Sequence, residues 1–153
     1  MMPTDLLDEL RIALAEGGVP AAIAILNSRT ACRFTSMYRF DRDLLRTLTF
    51  YDRANPTAIP PDDIPVEASY CVYVRDSGRP FHVENSLSDM RVELHPKRLE
   101  IQSYVGVPLE DDNGLSVGTL CHFDFHPVPI PEETVRLMED FAKLLKEHSA
   151  RKR

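Results

Sequence analysis

The side chains with types and spacing suited to chemistry fall into three groups. The first is the thiol pair Cys71 and Cys121, with Cys32 apart from them. A thiol attacks as its thiolate, which near neutral pH needs a neighbouring cation or a helix N-terminus. Without either, a buried cysteine packs as a small hydrophobe. The 3 cysteines are odd in number and none is in CxxC spacing, which excludes a disulfide framework and a CxxC metal or redox motif. The second group is Arg91, His95 and Arg98, which could hold a carboxylate or phosphate through the arginine fork. The competing reading pairs them with Asp89, Glu93 and Glu100 on a solvated loop. The third is His82, His122 and His126. A metal needs converging ligands, yet His122 and His126 lie about 13 Å apart along extended chain, so one shared ion is not expected. No Ser-His-Asp spacing, nucleophile elbow or glycine-rich phosphate loop is readable. No catalytic residue, metal ligand or cofactor is assigned.

The 153 residues fit one domain, 43% hydrophobic and 27% charged. A net charge of −6 argues against nucleic acid as a partner, because phosphate binding needs a positive surface. The terminal run Arg151-Lys152-Arg153 reads as a basic tail over 146–153. No apolar run reaches the roughly 20 residues of a membrane span, and the first residues lack the cationic start of a secretory signal. A cytoplasmic, reduced location with no membrane contact is the expectation.

Several elements must position these groups. Thr4 is placed to cap a helix, with Asp5 at its positive end and Leu6, Leu7, Leu10 and Leu14 on one face, ended by Gly17 and Gly18. Pro20 opens a second short helix to Asn27. Alternation over 32–40 predicts a strand with Cys32, Phe34, Ser36, Tyr38 and Phe40 on one face. After a turn at 41–43, a strand over 44–51 would put Leu44, Leu48 and Phe50 on a shared face. Pro56, Pro60, Pro61 and Pro65 make 55–65 a loop. A helix over 66–77 follows, ended by Gly78, then an edge strand at 80–84 and a polar connection over 85–99. Two apolar runs, Gln102-Ser-Tyr-Val-Gly-Val-Pro-Leu109 and Leu115-Ser-Val-Gly-Thr-Leu-Cys-His-Phe-Asp124, flank an Asn-Gly step and predict a hairpin. Gly106 and Gly118 within it are read as leaving room for a ligand. A helix over 131–148 carries the stripe Val135, Met138, Phe141 and Leu145. About five mostly antiparallel strands with terminal helices on one face make an α+β sandwich.

Ser103-Tyr-Val-Gly-Val-Pro-Leu109, Asn113-Gly114 and Val117-Gly-Thr-Leu-Cys-His-Phe-Asp124 resemble the closing hairpin of the GAF domain family. Phe141-Ala-Lys-Leu-Leu145 is similar to the family's last helix, and Arg39-Phe-Asp41 and Ser77-Gly-Arg-Pro-Phe81 fit its style. The resemblance spans about residues 6 to 145. It implies a PAS-like sheet with a ligand pocket opposite the terminal helices, roofed by the 66–77 helix and the 85–99 connection. The signature of cyclic-nucleotide-binding members is absent. Some GAF proteins reduce free methionine sulfoxide with cysteines just before their own Val-Pro-Leu strand, and residues 91–104 contain none here.

The expectation is therefore a small-molecule-sensing or signalling GAF domain, homodimeric through its terminal helices and acting on a separate signalling protein. Tyr38, Phe50, Tyr70, Cys71, Arg91, His95, Tyr104, Cys121 and Phe123 are its candidate ligand-binding residues, with Arg91 or His95 holding an anionic group. Cys71 and Cys121 are read as packing or lining residues. The alternatives are a thiol-dependent methionine sulfoxide reductase and a ligand-free interaction domain.

Overall fold

Residues Phe34–Asp41 form a central strand, β1, because their alternating side chains satisfy two apolar layers at once. Met37 enters the core under the terminal helices, and Tyr38 enters a second core on the other face. The computed structural model describes residues 3–151. Around β1 the chain lays down helix α1 (Pro3–Asn27), β2 (Leu44–Asp52), β3 (Ile64–Pro65), α2 (Cys71–Ser77), β4 (Phe81–Val83), β5 (Ser103–Glu110), β6 (Ser116–Asp124) and α3 (Glu132–Arg151). The six strands pair antiparallel in the order β3-β2-β1-β6-β5-β4. The sequence predicts about five. The additional one is β3, whose Ile64 and Pro65 pair with Leu45 and Leu44 at the sheet edge, where proline is tolerated.

α1 is bent at Gly18 (φ 77°, ψ −171°), and Pro20 starts the segment beyond the bend, as the two-helix reading expects. The side chains of Thr4 and Asp5, and those of the basic tail from Arg151 onward, lie outside the described residues. Leu10, Leu14, Ile23 and Leu26 of α1 pack with Met138, Phe141 and Leu145 of α3 over Val105, Val107 and Leu120. Gly114 (φ 77°) turns the β5–β6 hairpin as the Asn-Gly step predicts.

Two readings are corrected. In β2 the register slips between Met37 and Tyr38, whose partners are Thr49 and Thr47, so Leu48 is the extra residue of a bulge. Leu45, Thr47 and Phe50 therefore share the face with Tyr38, while Leu44 and Leu48 are exposed. The helix expected over 66–77 is two pieces: a 3-10 turn at Val66–Ala68, then α2. Ser69 between them is extended (φ −128°, ψ 151°), and its hydroxyl accepts the Cys71 amide at 3.1 Å. Ser and β-branched residues hold a helix weakly enough for this local bond to interrupt it.

A polar chain ties α1 to the sheet. Asn27 Nδ2 donates to Thr35 Oγ1 at 2.8 Å, and Thr35 meets His122 Nδ1 at 2.6 Å. Thr35 Oγ1 thus joins Asn27 and His122 in one buried polar chain. Burial, helped by the charge of Arg53, pushes the His122 pKa from 6.5 down to about 3. Among the described residues no helix is long and apolar enough to cross a membrane.

Two outcomes follow from these contacts. A Cβ at Gly118 would lie 2.1 Å from the Tyr38 carbonyl oxygen, so Gly118→Ala should cost about 1–3 kcal/mol in urea melts. The folded-state pKa of His122 is depressed, so between about 3 and 6.5 the unfolded chain binds more protons at this site. Its contribution to stability is lost as pH falls from 6.5 toward 3. His122→Gln should flatten that part of the stability–pH curve, measured by urea melts at several pH values.

Candidate functional site

On the sheet face opposite α1 and α3 lies a cavity of about 380 Å³. Its floor is built by alternate residues of four strands: Phe34 and Tyr38 of β1, Phe50 of β2, Cys121 and Phe123 of β6, and Tyr104 of β5. The β2 bulge adds Leu45 and Thr47. Tyr70, Ala68 and Ile101 form one wall, and residues of the proline-rich segment, Ala58, Ile59, Pro61 and Asp62, form the cover. The rings are packed against one another, with Phe34 stacked on Phe123 at 4.9 Å and Tyr70 edge-on to Tyr104 at 5.5 Å. This is the character of a small-molecule site, mainly apolar with a few polar tips.

The charged groups stand at the mouth. Asp52 is gripped by Arg33 through Nε at 2.7 Å and Nη2 at 2.9 Å, which holds its carboxyl below the usual range. The Arg33 guanidinium in turn lies 4.8 Å from the centre of the Phe34 ring. Lys97 pairs with Glu100 at 3.2 Å. Asp62 is exposed and has no ion-pair partner among the described residues. On the floor, Tyr38 is pushed well above the ordinary phenol range by burial first, then by the nearby Cys121 and Cys71. Ser36, on the same face of β1, keeps a buried Oγ without a hydrogen-bond partner.

Cys71 lies beside the cavity on the same face of the sheet, fully buried and not in the lining. Its Sγ accepts hydrogen bonds from Tyr104 Oη and Thr119 Oγ1, both at 3.2 Å. Burial pushes the Cys71 thiol up. Donors from Cys121, Ser69, Thr119 and Tyr104 outweigh burial and bring it down to about 7. Cys121 is pushed well up by burial and by its contact with Cys71. A second thiol first, and then three hydroxyls, do here what neither a cation nor a long helix does. Gly106 exists for this arrangement: a Cβ there would lie 2.2 Å from Tyr104 Oη, so the Tyr104 side chain folds over the glycine to reach Cys71. The room expected for a ligand at Gly106 and Gly118 is filled by Tyr104 and by the Tyr38 backbone.

Of the residues singled out in the sequence, Tyr38, Phe50, Tyr70, Tyr104, Cys121 and Phe123 meet around the cavity. Arg91 and His95 do not border it. Arg91 is bound to Asp89, donates to the His82 carbonyl at 2.7 Å and lies 4.7 Å from the Phe81 ring centre. His95 packs on Tyr70 at 4.5 Å, its Nδ1 accepts the Lys97 amide at 3.0 Å, and burial lowers its pKa. Arg98 donates to the Leu87 carbonyl at 3.1 Å. The three histidines stay apart. His82 and His122 flank Val105 on the helix-facing side, and the His126 carbonyl accepts from Ser103 beyond the end of β6. Sequence reasoning missed Leu45 and Thr47, which the bulge conceals, and Asp52 and Ile101, which lie at element ends where alternation gives no signal.

The GAF domain model matches residues 18–146, and the chain belongs to the GAF domain family. An 85-residue segment is 33% identical to part of a cyclic di-GMP phosphodiesterase of Pseudomonas aeruginosa, covering 53% of this chain and 14% of that protein. The chain thus spans about one-seventh of that relative. The fold is similar to the GAF domain of an Acinetobacter phosphoenolpyruvate-protein phosphotransferase (TM-score 0.78, 14% identity, 99% of this chain and 94% of the other). It is also similar to free methionine-R-sulfoxide reductase of Neisseria meningitidis, solved with its substrate (TM-score 0.75, 18% identity, 95% and 87%).

The thiol geometry makes a graded prediction. Cys71 should ionise before Cys32, which burial pushes up to about 11, and before Cys121. Tyr104→Phe removes one donor to Cys71 and should move its ionisation to higher pH. Thiolate ultraviolet absorbance over a pH series, in a Cys32→Ser background, reads this without a reagent having to reach the buried sulfur.

Proposed function

We propose that this GAF domain senses a small molecule held non-covalently in the cavity between the sheet and the proline-rich cover, and passes the state of that site to a signalling partner. The observation that carries the reading is the cavity itself: an aromatic-floored space of about 380 Å³ beside an otherwise filled core. Its size lies within the range of small-molecule pockets, roughly 300–1,000 Å³. The partial likeness to a cyclic di-GMP phosphodiesterase supports a signalling setting. It gives no support to hydrolysis by this chain, since no hydrolytic constellation is readable in the sequence. Dimerisation through α1 and α3 is part of the proposal and is read by light scattering.

A second reading, thiol-dependent reduction of an oxidised substrate, is favoured by the contact between Cys71 and Cys121 and by the lowered Cys71 pKa. Against it, both thiols are buried and Cys71 lies off the cavity. Sensing without turnover ranks first.

Native mass spectrometry of the purified protein should reveal a co-purifying ligand. Ala68→Trp, which fills the cavity from its wall, should abolish that species while leaving the thermal transition within a few degrees of the parent. Retention of the ligand in the folded Ala68→Trp protein would remove the cavity as its site. Methionine sulfoxide turnover abolished by Cys71→Ser or Cys121→Ser would put the reductase reading first.

A further inference from the structure

The electrostatics of the cavity narrow the chemical class of its occupant. We infer that it takes an aromatic or alicyclic body carrying a cationic amine, with the amine at the mouth beside Asp62. The inference rests on the cavity being a binding site, as proposed above.

Every cation near the cavity is already committed among the described residues. Lys97, on the lining, is paired with Glu100, and Arg33, beside it, holds Asp52 through two bonds and lies over Phe34. An anionic ligand would have to break one of these pairs. It would also enter past Asp62 in a chain of net charge −6. Arg91, the guanidinium best suited by sequence to hold an anion, is bound to Asp89 and does not border the cavity.

A cation meets the opposite conditions. Asp62 lines the mouth with a carboxylate that has no ion-pair partner among the described residues. Its position is built: the next residue, Asp63, accepts from Arg46 Nη1 at 3.0 Å and from the Thr47 amide at 3.1 Å, which pins the cover to β2. Behind Asp62 the walls are aromatic, with Phe50, Tyr70, Phe123 and Phe125 on the lining. Ring faces carry negative quadrupole density and attract an ammonium group while accepting an apolar body. Arg33 over Phe34 is an internal instance of this attraction at the same mouth. Asp52, opposite Phe34 on the sheet, is already held by Arg33, so an apolar body belongs against the rings and a new charge belongs outside.

Three probes of one shape and different charge test the class: phenethylamine, phenethyl alcohol and hydrocinnamate, titrated at neutral pH. Affinity is read by calorimetry, and location by NMR shifts at Tyr104 and Phe123. The amine should bind about three- to tenfold tighter than the alcohol, the size expected of an exposed charge pair with a cation–π contribution. Hydrocinnamate should bind weakest. Asp62→Asn should remove the advantage of the amine and leave the affinity of the alcohol unchanged. Hydrocinnamate binding as tightly as the amine, or an amine advantage that survives in Asp62→Asn, overturns the charge inference. In either case the alcohol, by still shifting Tyr104 and Phe123, leaves the cavity reading standing. If no probe shifts those residues, the cavity reading falls and this inference falls with it.

Discussion

The pairing of β1 with β6 is the constraint on which the rest of the molecule depends, because both strands are buried on both faces. Met37 opposite Leu120 feeds the core under α1 and α3, while Phe34 opposite Phe123, with Tyr38 and Cys121 on the same face, builds the cavity floor. A slip of one residue would exchange the two sets and place His122 and Thr35 in the aromatic pocket. Two devices oppose the slip. Gly118 admits the Tyr38 carbonyl at a distance no side chain allows, and Thr35 must meet both Asn27 and His122 to satisfy buried polar atoms. Register is therefore set by one close backbone approach and one polar chain, with apolar packing neutral between the alternatives at several positions.

Chemistry on the cavity side is shaped by the same pairing. Because Cys121 lies opposite Gly106, Tyr104 can fold across β5 and place its hydroxyl on Cys71. Three groups that alternation would scatter, a phenol, a threonine hydroxyl and a second thiol, thereby converge on one sulfur. The arrangement favours ionisation of Cys71, yet that sulfur does not line the cavity. Polarisation of a thiol and access to it are distinct properties, and here the polarised thiol is Cys71, off the lining, while Cys121 borders the cavity.

How much of this was legible in the sequence depends on the kind of signal involved. The hairpin, the closing helix, the β1 alternation and the α1 bend follow local rules of period and turn chemistry, and each appears where those rules put it. Six of the nine candidate lining residues also meet, since aromatic residues of matched parity on adjacent strands share a face. The misses have non-local causes. The Leu48 bulge reverses parity halfway along β2, and no composition rule marks it. Arg91 is drawn away by Asp89 and Phe81, contacts set by how the 85–99 connection lies on the surface. Glycines 106 and 118 do mark close approach, as their type suggests, but what approaches is the protein's own chain.

The two faces of the sheet are also joined at one edge, which bears on how an occupied cavity could be felt by the helices. Arg53 begins the segment that becomes the cover, directly after Asp52 at the cavity mouth. Its guanidinium donates to Asn27 Oδ1 at 2.8 Å and to the carbonyls of Asn27, Thr30 and Cys32 at 2.5 to 2.9 Å. Asn27 is the last residue of α1 and the first member of the chain to Thr35 and His122. The sheet between the faces is close-packed and transmits little by bending. The cover, by contrast, borders the cavity at one end and the terminus of α1 at the other. On the reading proposed above, a ligand that held the cover would hold Arg53 with it, and the end of α1 is the nearest element outside the cavity tied to that position.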